Sequence, residues 1–377
     1  MRIVGDDPGE LAAALADGLS RELLVVSGGL GPTHDDRTVE LLAQAAGLSL
    51  HVDPVLEARI EAISRSFAAR TRRPYADFAA GVRKQARLPE GAIVVGLAGT
   101  APALLLELDA CLALVLPGPP RELQALWPAA LELEPFLRLR RRAEPRARRV
   151  LRFYGVSESA VAQALEAAGG EPEGVEATIC ARDFEIHVDL LVDAAADQAA
   201  DALEDAFVAP IAAHLYARAE RSIEQLLIEA CAARGLTLAT AESCTGGLVA
   251  ARLSSVAGSS AVFLGGVVAY ANAVKETELG VSGETLRRHG AVSAQTAREM
   301  AEGARERLSA SAAVAVTGIA GPAGGTAEKP VGLVNICASA PGGQLELELQ
   351  LPGDRDTVRG RATVAALHLL YRLLEES

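Results

Sequence analysis

Short apolar runs that end in a glycine-bearing turn and then pass into a helical or loop pattern recur along both halves of the chain. LLVV (23–26) precedes SGGLGPT, LTLATA (236–241) precedes ESCTGG, and AAVAVTG (312–318) precedes IAGPAGG. A run of four to seven residues without polar alternation reads as a strand buried on both faces, so it needs helices on both sides. That repeated unit confines the fold to α/β domains with loops gathered at the carboxyl ends of strands, where open sheets take their ligands. From 1 to about 137, helices are expected at 9–20 and 38–47 and strands at 23–26, 92–96, 104–108 and 112–118. Together they imply a mainly parallel sheet.

A chain of 377 residues, half of them apolar, exceeds one core of ordinary size. Three segments are expected: an α/β domain at 1–140, a small α+β module at 148–218, and a second α/β domain at 221–377. For the module, ferredoxin-like and KH-like arrangements both fit, and 148–218 contains no Gly-x-x-Gly loop of the kind that grips nucleic acid. A spacer or dimerisation role is expected there. Between the first two segments lies RLRRRAEPRARR (138–149), read as a solvated domain linker.

A net charge of −13 argues against a general nucleic-acid or anionic-membrane binder. Five scattered cysteines without a Cys-x-x-Cys pair suit reduced thiols rather than disulfides or zinc. With no signal-peptide pattern at MRIVGDDPGE and no apolar stretch near the ~18 residues of a span, a soluble cytoplasmic protein is expected. Positive charge is carried almost wholly by arginine; Lys84, Lys275 and Lys329 are the only lysines. Lysine, unlike arginine, can lose its proton when desolvated, so these three positions stand out.

In TAESCTGGLVAARL (240–253) a strand turns through Gly246-Gly247 into a helix. Ser243 and Thr245 then lie where helix N–H groups favour an anion, or where either could simply cap the helix. AVFLGGVVAYANAVK brings Tyr270 and Lys275 to another strand end, and TGIAGPAGGTAEKP a glycine-rich loop to a third. A serine beside a desolvated lysine can be activated without histidine. Cys244 is intrinsically the better nucleophile, but nothing places a histidine near it, and neighbours on a strand face opposite ways. Ser243 is therefore assigned to the pocket and Cys244 to packing. In SGGLGPTHDDRTVELL (27–42), Gly28, Gly29, Gly31 and Thr33 could cradle phosphate. Asp35 and Asp36 could hold a divalent metal such as Mg²⁺, or cap the next helix.

These motifs together resemble the CinA family (competence/damage-inducible protein A) along nearly the whole chain. SGGLGPTHDDRT, RKQARLPEGA, GTAPALLLE and LPGPPREL are similar to its molybdopterin-binding-like domain, and the resemblance implies a metal-dependent ADP-ribose pyrophosphatase there. TAESCTGGLVAARL, GGVVAYANAVK, HGAVS, TGIAGPAGGTAEKPVG and GDRDTVR resemble its nicotinamide mononucleotide deamidase domain. The implied fold is two α/β domains, molybdopterin-binding-like and deamidase, joined by a small KH-like module. The resemblance makes Ser243 the nucleophile, with Tyr270 and Lys275 as activating partners. It places substrate contacts among Thr245, Gly246, Thr317, Gly318, Gly321 and Arg355. It implies a homodimer and a small-molecule nucleotide substrate, with no cofactor for the deamidase. Family members carry a strand and loop reading like GTELL-x-G before the VGD segment; here MRIVGDD stands first, so exposed apolar surface is expected on the first sheet. The competing readings are a nucleotide- or pterin-binding protein without turnover, and a structural partner protein. Lys275 separates the first from a binding site, because a base must deprotonate whereas a binding site would accept arginine.

Overall fold

The computed structural model describes residues 1–376, which form two compact units, Met1–Glu144 and the chain from Pro145 onward. In the first, helix Pro8–Leu19 precedes β1 (Leu23–Ser27), helix Thr38–Ala45 separates it from β2 (Leu50–Val52), two further helices lead to β3 (Arg87–Pro89), and β4 (Ile93–Leu97), β5 (Pro102–Glu107) and β6 (Leu112–Leu116) follow with no helix between them. The main sheet has the order β1-β6-β5-β4, and β2 pairs with β3 apart from it. Only β1 and β6 are parallel; β6–β5 and β5–β4 are antiparallel. The mainly parallel expectation fails for a steric reason. Residues 98–101 and 108–111 are all that join β4 to β5 and β5 to β6, whereas a parallel crossover needs about a dozen residues or more. The doubly covered reading holds for β6, which is buried at every position. At the other extreme β1 is an edge, with Leu23 37% and Val25 43% exposed.

From Pro145 the chain first builds the module: β7 (Arg146–Phe153), β8 (Val175–Arg182), β9 (Glu185–Asp193) and β10 (Leu215–Ala217), with helices Glu158–Ala167 and Asp197–Val208. Its sheet, β10-β7-β9-β8, is antiparallel throughout. This βαββαβ succession is the ferredoxin-like arrangement. Alternate residues of β9 (Ile186, Val188, Leu190, Val192) point into a core with Phe153 and Phe207.

The basic run is not a solvated linker. Its first half ends the helix Glu134–Arg142 and its second half opens β7. Arg148 pairs with Asp189 and Glu220, each at 2.6 Å; Arg149 reaches Asp201 at 2.6 Å, and buried Arg152 reaches Asp189 at 2.9 Å. An acidic neighbouring strand and helix thus absorb the charge that looked unmatched in sequence.

The last domain holds β11 (Leu238–Glu242), β12 (Phe263–Val268), β13 (Ala312–Gly318), β14 (Leu333–Ala340) and β15 (Gly343–Gln350), ordered β12-β11-β13-β14-β15. The first three strands are parallel and the last two antiparallel. The closing helix Arg355–Glu375, N-capped by Asp354, is buried nearly all round by the sheet and helix Ile223–Arg234. Each leucine it buries contributes about 1.5–3 kcal/mol. The module meets this domain through Glu185, whose carboxylate accepts from Tyr216 Oη at 2.8 Å and pairs with His368 Nε2 at 2.5 Å. The Tyr154 ring stacks flat on His368 with centroids 3.8 Å apart. Among the described residues no helix is long and apolar enough to cross a membrane.

Candidate active site

Parallel pairing sets Glu242 level with both Val268 and Val316. Ser243, Tyr270 and Thr317 therefore leave the sheet at the same carboxyl edge. The ladder extends one step further: Ser243 N donates to Val316 O at 2.9 Å, and Ala269 N to Glu242 O at 2.8 Å. Gly246 (φ 62°) and Gly247 (φ 98°) then reverse the chain into helix Leu248–Ser254, a left-handed pair that β-branched residues would resist.

The start of that helix is not an open anion site. Glu242, 1% exposed, accepts hydrogen bonds from Gly247 N (2.9 Å), Val249 N (3.1 Å) and Ala250 N (2.8 Å). A built-in carboxylate thus occupies the place where sequence reasoning put a substrate anion. Arg359 braces the other side of the turn, donating to Cys244 O at 3.1 Å and Thr245 O at 3.0 Å. Sequence reading missed both. Glu242 carried a signal, an acidic residue closing a strand immediately before a helix start. Arg359 carried none beyond standing four residues after Arg355, on the same helix face.

Lys275 is 1% exposed, on the inner face of helix Asn272–Leu279. Its Nζ lies 3.0 Å from Ser243 Oγ, 2.7 Å from Ala269 O and 3.4 Å from Tyr270 O. Among the described residues no carboxylate pairs with it. Burial pulls its pKa below the ordinary lysine range. The neighbouring Cys244 behaves oppositely: burial pushes its thiol up to about 11. Its Sγ packs against Gly318, where an added Cβ would come within 3.0 Å of the sulfur and 2.9 Å of Leu333 O. Ser243 thus faces Lys275 while Cys244 packs against Gly318.

Tyr270 is not placed on Ser243. Its exposed hydroxyl accepts from Arg355 Nη2 at 2.6 Å, and Arg355 Nη1 donates to Gly321 O at 2.7 Å. These three residues form a rim, and only the Tyr270 carbonyl approaches Lys275. Thr317 is buried with its hydroxyl committed to Ala291 O at 2.6 Å. The Thr245 hydroxyl is buried without a hydrogen-bond partner among the described residues. Lys329 anchors the glycine-rich loop by donating to His289 O at 2.5 Å and Val292 O at 2.6 Å. That ties the loop to the HGAVS segment.

The N-terminal loop is wired differently. Thr33 N and Oγ1 both donate to Asp36 Oδ2, at 3.0 and 2.5 Å, and Lys84 donates to Thr33 O. Gly28 N is held by Leu116 O at 3.0 Å; Gly31 sits so close to Asp36 that a Cβ would lie 2.3 Å from its carboxylate. The Thr33 and Gly28 donors expected to cradle a phosphate are thus consumed within the protein. The cleft containing Gly29, Gly31, Asp36 and Lys84 measures about 40 Å³, far below the ~300 Å³ of a small ligand site. A wider opening of about 660 Å³ runs along β1 past Gly28, Gly29 and Asp35. Among the described residues, no group of three or more His, Cys, Asp or Glu could hold a metal.

Fold and site together define a class: an α/β protein of three segments whose last domain carries a buried serine–lysine pair at parallel strand ends. Residues 220–374 match the family model described as CinA C-terminal domain, 148–218 the Damage-inducible protein CinA KH domain, and 1–138 the "Probable molybdopterin binding domain". A CinA-like protein of Mycolicibacterium gilvum (strain PYR-GCK) is 41% identical over 383 residues, covering 99% of this chain and 89% of that relative. Another, from Mycolicibacterium vanbaalenii, is 40% identical over 379 residues with the same coverage. The chain belongs to the CinA family. Among solved structures, competence/damage inducible protein CihA from Agrobacterium tumefaciens is 47% identical over 42% of this chain and 99% of its own, with a TM-score of 0.40.

Proposed function

We propose that the chain is an amidohydrolase converting nicotinamide mononucleotide to nicotinate mononucleotide and ammonia, in pyridine-nucleotide recycling. The observation that carries the reading is the buried Lys275 Nζ, 3.0 Å from Ser243 Oγ and without a paired carboxylate. A neutral amine has two N–H groups and one lone pair. Ala269 O and Tyr270 O take the N–H groups, which leaves the lone pair to accept the Ser243 proton.

Ser243 Oγ then attacks the carboxamide carbon as Lys275 takes its proton. The Lys275 ammonium returns the proton to the departing nitrogen, releasing ammonia and an acyl-serine. Water, deprotonated by the same amine, cleaves that ester and frees the acid and Ser243. Arg355, at the rim with Tyr270, supplies a fixed cation for the substrate phosphate.

The test is ammonia release from nicotinamide mononucleotide by the purified chain with EDTA present. Activity that disappears in Ser243→Ala and persists in Cys244→Ala supports the mechanism. Loss confined to Cys244→Ala overturns the nucleophile, and a folded wild type without turnover overturns the reaction.

A further inference from the structure

The chain has five tyrosines and six histidines. Tyr154, Tyr216, Tyr371, His214 and His368 line a single cavity of about 600 Å³ where the module meets the last domain. The chain as a whole is 50% apolar and only 3% aromatic, so this lining concentrates a scarce residue class. Here three of five tyrosines surround unfilled space. The volume falls within the ~300–1,000 Å³ of small-molecule sites, and an aromatic wall with a few polar atoms is their usual lining.

The polar atoms point to a ligand as well. His368 is 8% exposed; Nε2 is held by Glu185, and Nδ1 has no hydrogen-bond partner among the described residues. Among the described residues the hydroxyls of Tyr154 and Tyr371 likewise have no hydrogen-bond partner, while that of Tyr216 is spent on Glu185. The charged groups at the mouth are already matched: Arg372 lies 3.6 Å from Glu376, and Glu375 lies 3.2 Å from Arg234. No cation is left over for a phosphate. The wall therefore suits a flat ring that stacks on tyrosine and offers hydrogen-bonding edges without net charge.

We propose that this cavity is a second ligand site, separate from Ser243, for an uncharged heteroaromatic ring of the nucleobase or nucleoside class. Because Tyr154 and Tyr216 of the module and His368 and Tyr371 of the last domain share its wall, a bound ring contacts both segments at once. The site is independent of the deamidase reading, and it can be tested without turnover.

The probe is adenosine, measured by equilibrium dialysis against the full chain. Saturable binding near or below ~1 mM is expected. Tyr371→Ala should weaken it about tenfold, Tyr371→Phe should retain it through the ring, and Ser243→Ala should leave it unchanged. Titrating adenosine into wild type should also shift the His214 and His368 imidazole resonances, a readout that needs no substitution. No saturable binding, binding indifferent to Tyr371→Ala in a folded variant, still imidazole resonances, or binding abolished by Ser243→Ala would each overturn the site.

Discussion

Two glycine-rich turns, one after β1 and one after β11, share a sequence grammar and differ in where their carboxylates go. After β1, Asp36 turns back on its own loop and consumes the Thr33 amide and hydroxyl. After β11, Glu242 points into the helix start and consumes three amides there, so Ser243 is left to Lys275. A glycine-rich turn thus becomes a reactive site or a closed loop according to which polar atoms its own acids occupy.

The largest effect that would sharpen this contrast is on turnover. Ser243→Ala or Lys275→Met should lower nicotinamide mononucleotide deamidation by about 10³-fold or more, while Thr33→Val should leave it unchanged, by initial-rate ammonia assay. Equal losses in Thr33→Val would break the comparison.

Next comes pH. Burial holds Lys275 below the ordinary lysine range, so kcat/KM should rise with pH through that lowered pKa. The unfolded chain keeps the extra proton between the lowered and the ordinary values, so stability should also rise with pH in that window. A flat profile from a folded wild type would remove the amine from the mechanism.

Stability follows. Glu242→Ala unmakes three charge-assisted bonds inside the last domain and should cost about 2–4 kcal/mol in denaturant unfolding. Asp36→Ala, in its more open loop, should cost about 1 kcal/mol. A reversed ranking would mean that the β1 loop, not the β11 turn, is the one held by its acid.

The smallest effect is expected at the neighbouring cysteine. Cys244→Ala should change the rate by less than about threefold, since its thiol, pushed up to about 11, is almost wholly protonated near neutrality.

What was legible in the sequence follows a physical line. The strands, the three segments, and the arrival of Ser243, Tyr270 and Thr317 at one sheet edge all rest on local periodicity and on parallel order, which sequence patterns carry. The direction of β4–β6 depended on connection length, a weaker cue than the apolar runs themselves. Arg148 and Arg149 looked solvated because their acidic partners lie 41 and 52 residues away. Tyr270 was assigned to Ser243 by resemblance, but its hydroxyl is held by Arg355, 85 residues further on. Arg359, bound to the backbone 114 and 115 residues away, left no local trace. Charge partners chosen across a fold are invisible to any window shorter than the separation.

Each of the three lysines ends on a backbone carbonyl, and Lys275 is enclosed almost completely. For the chemist this turns scarcity into a gauge. An amine-directed acylating reagent meets three side chains in the whole protein. Lys275, 1% exposed beneath helix Asn272–Leu279, reacts only as its enclosure opens. The rate at which label accumulates on Lys275, read by peptide mass, is then a clock for the opening of the site itself, with Lys84 as the internal reference for reagent strength.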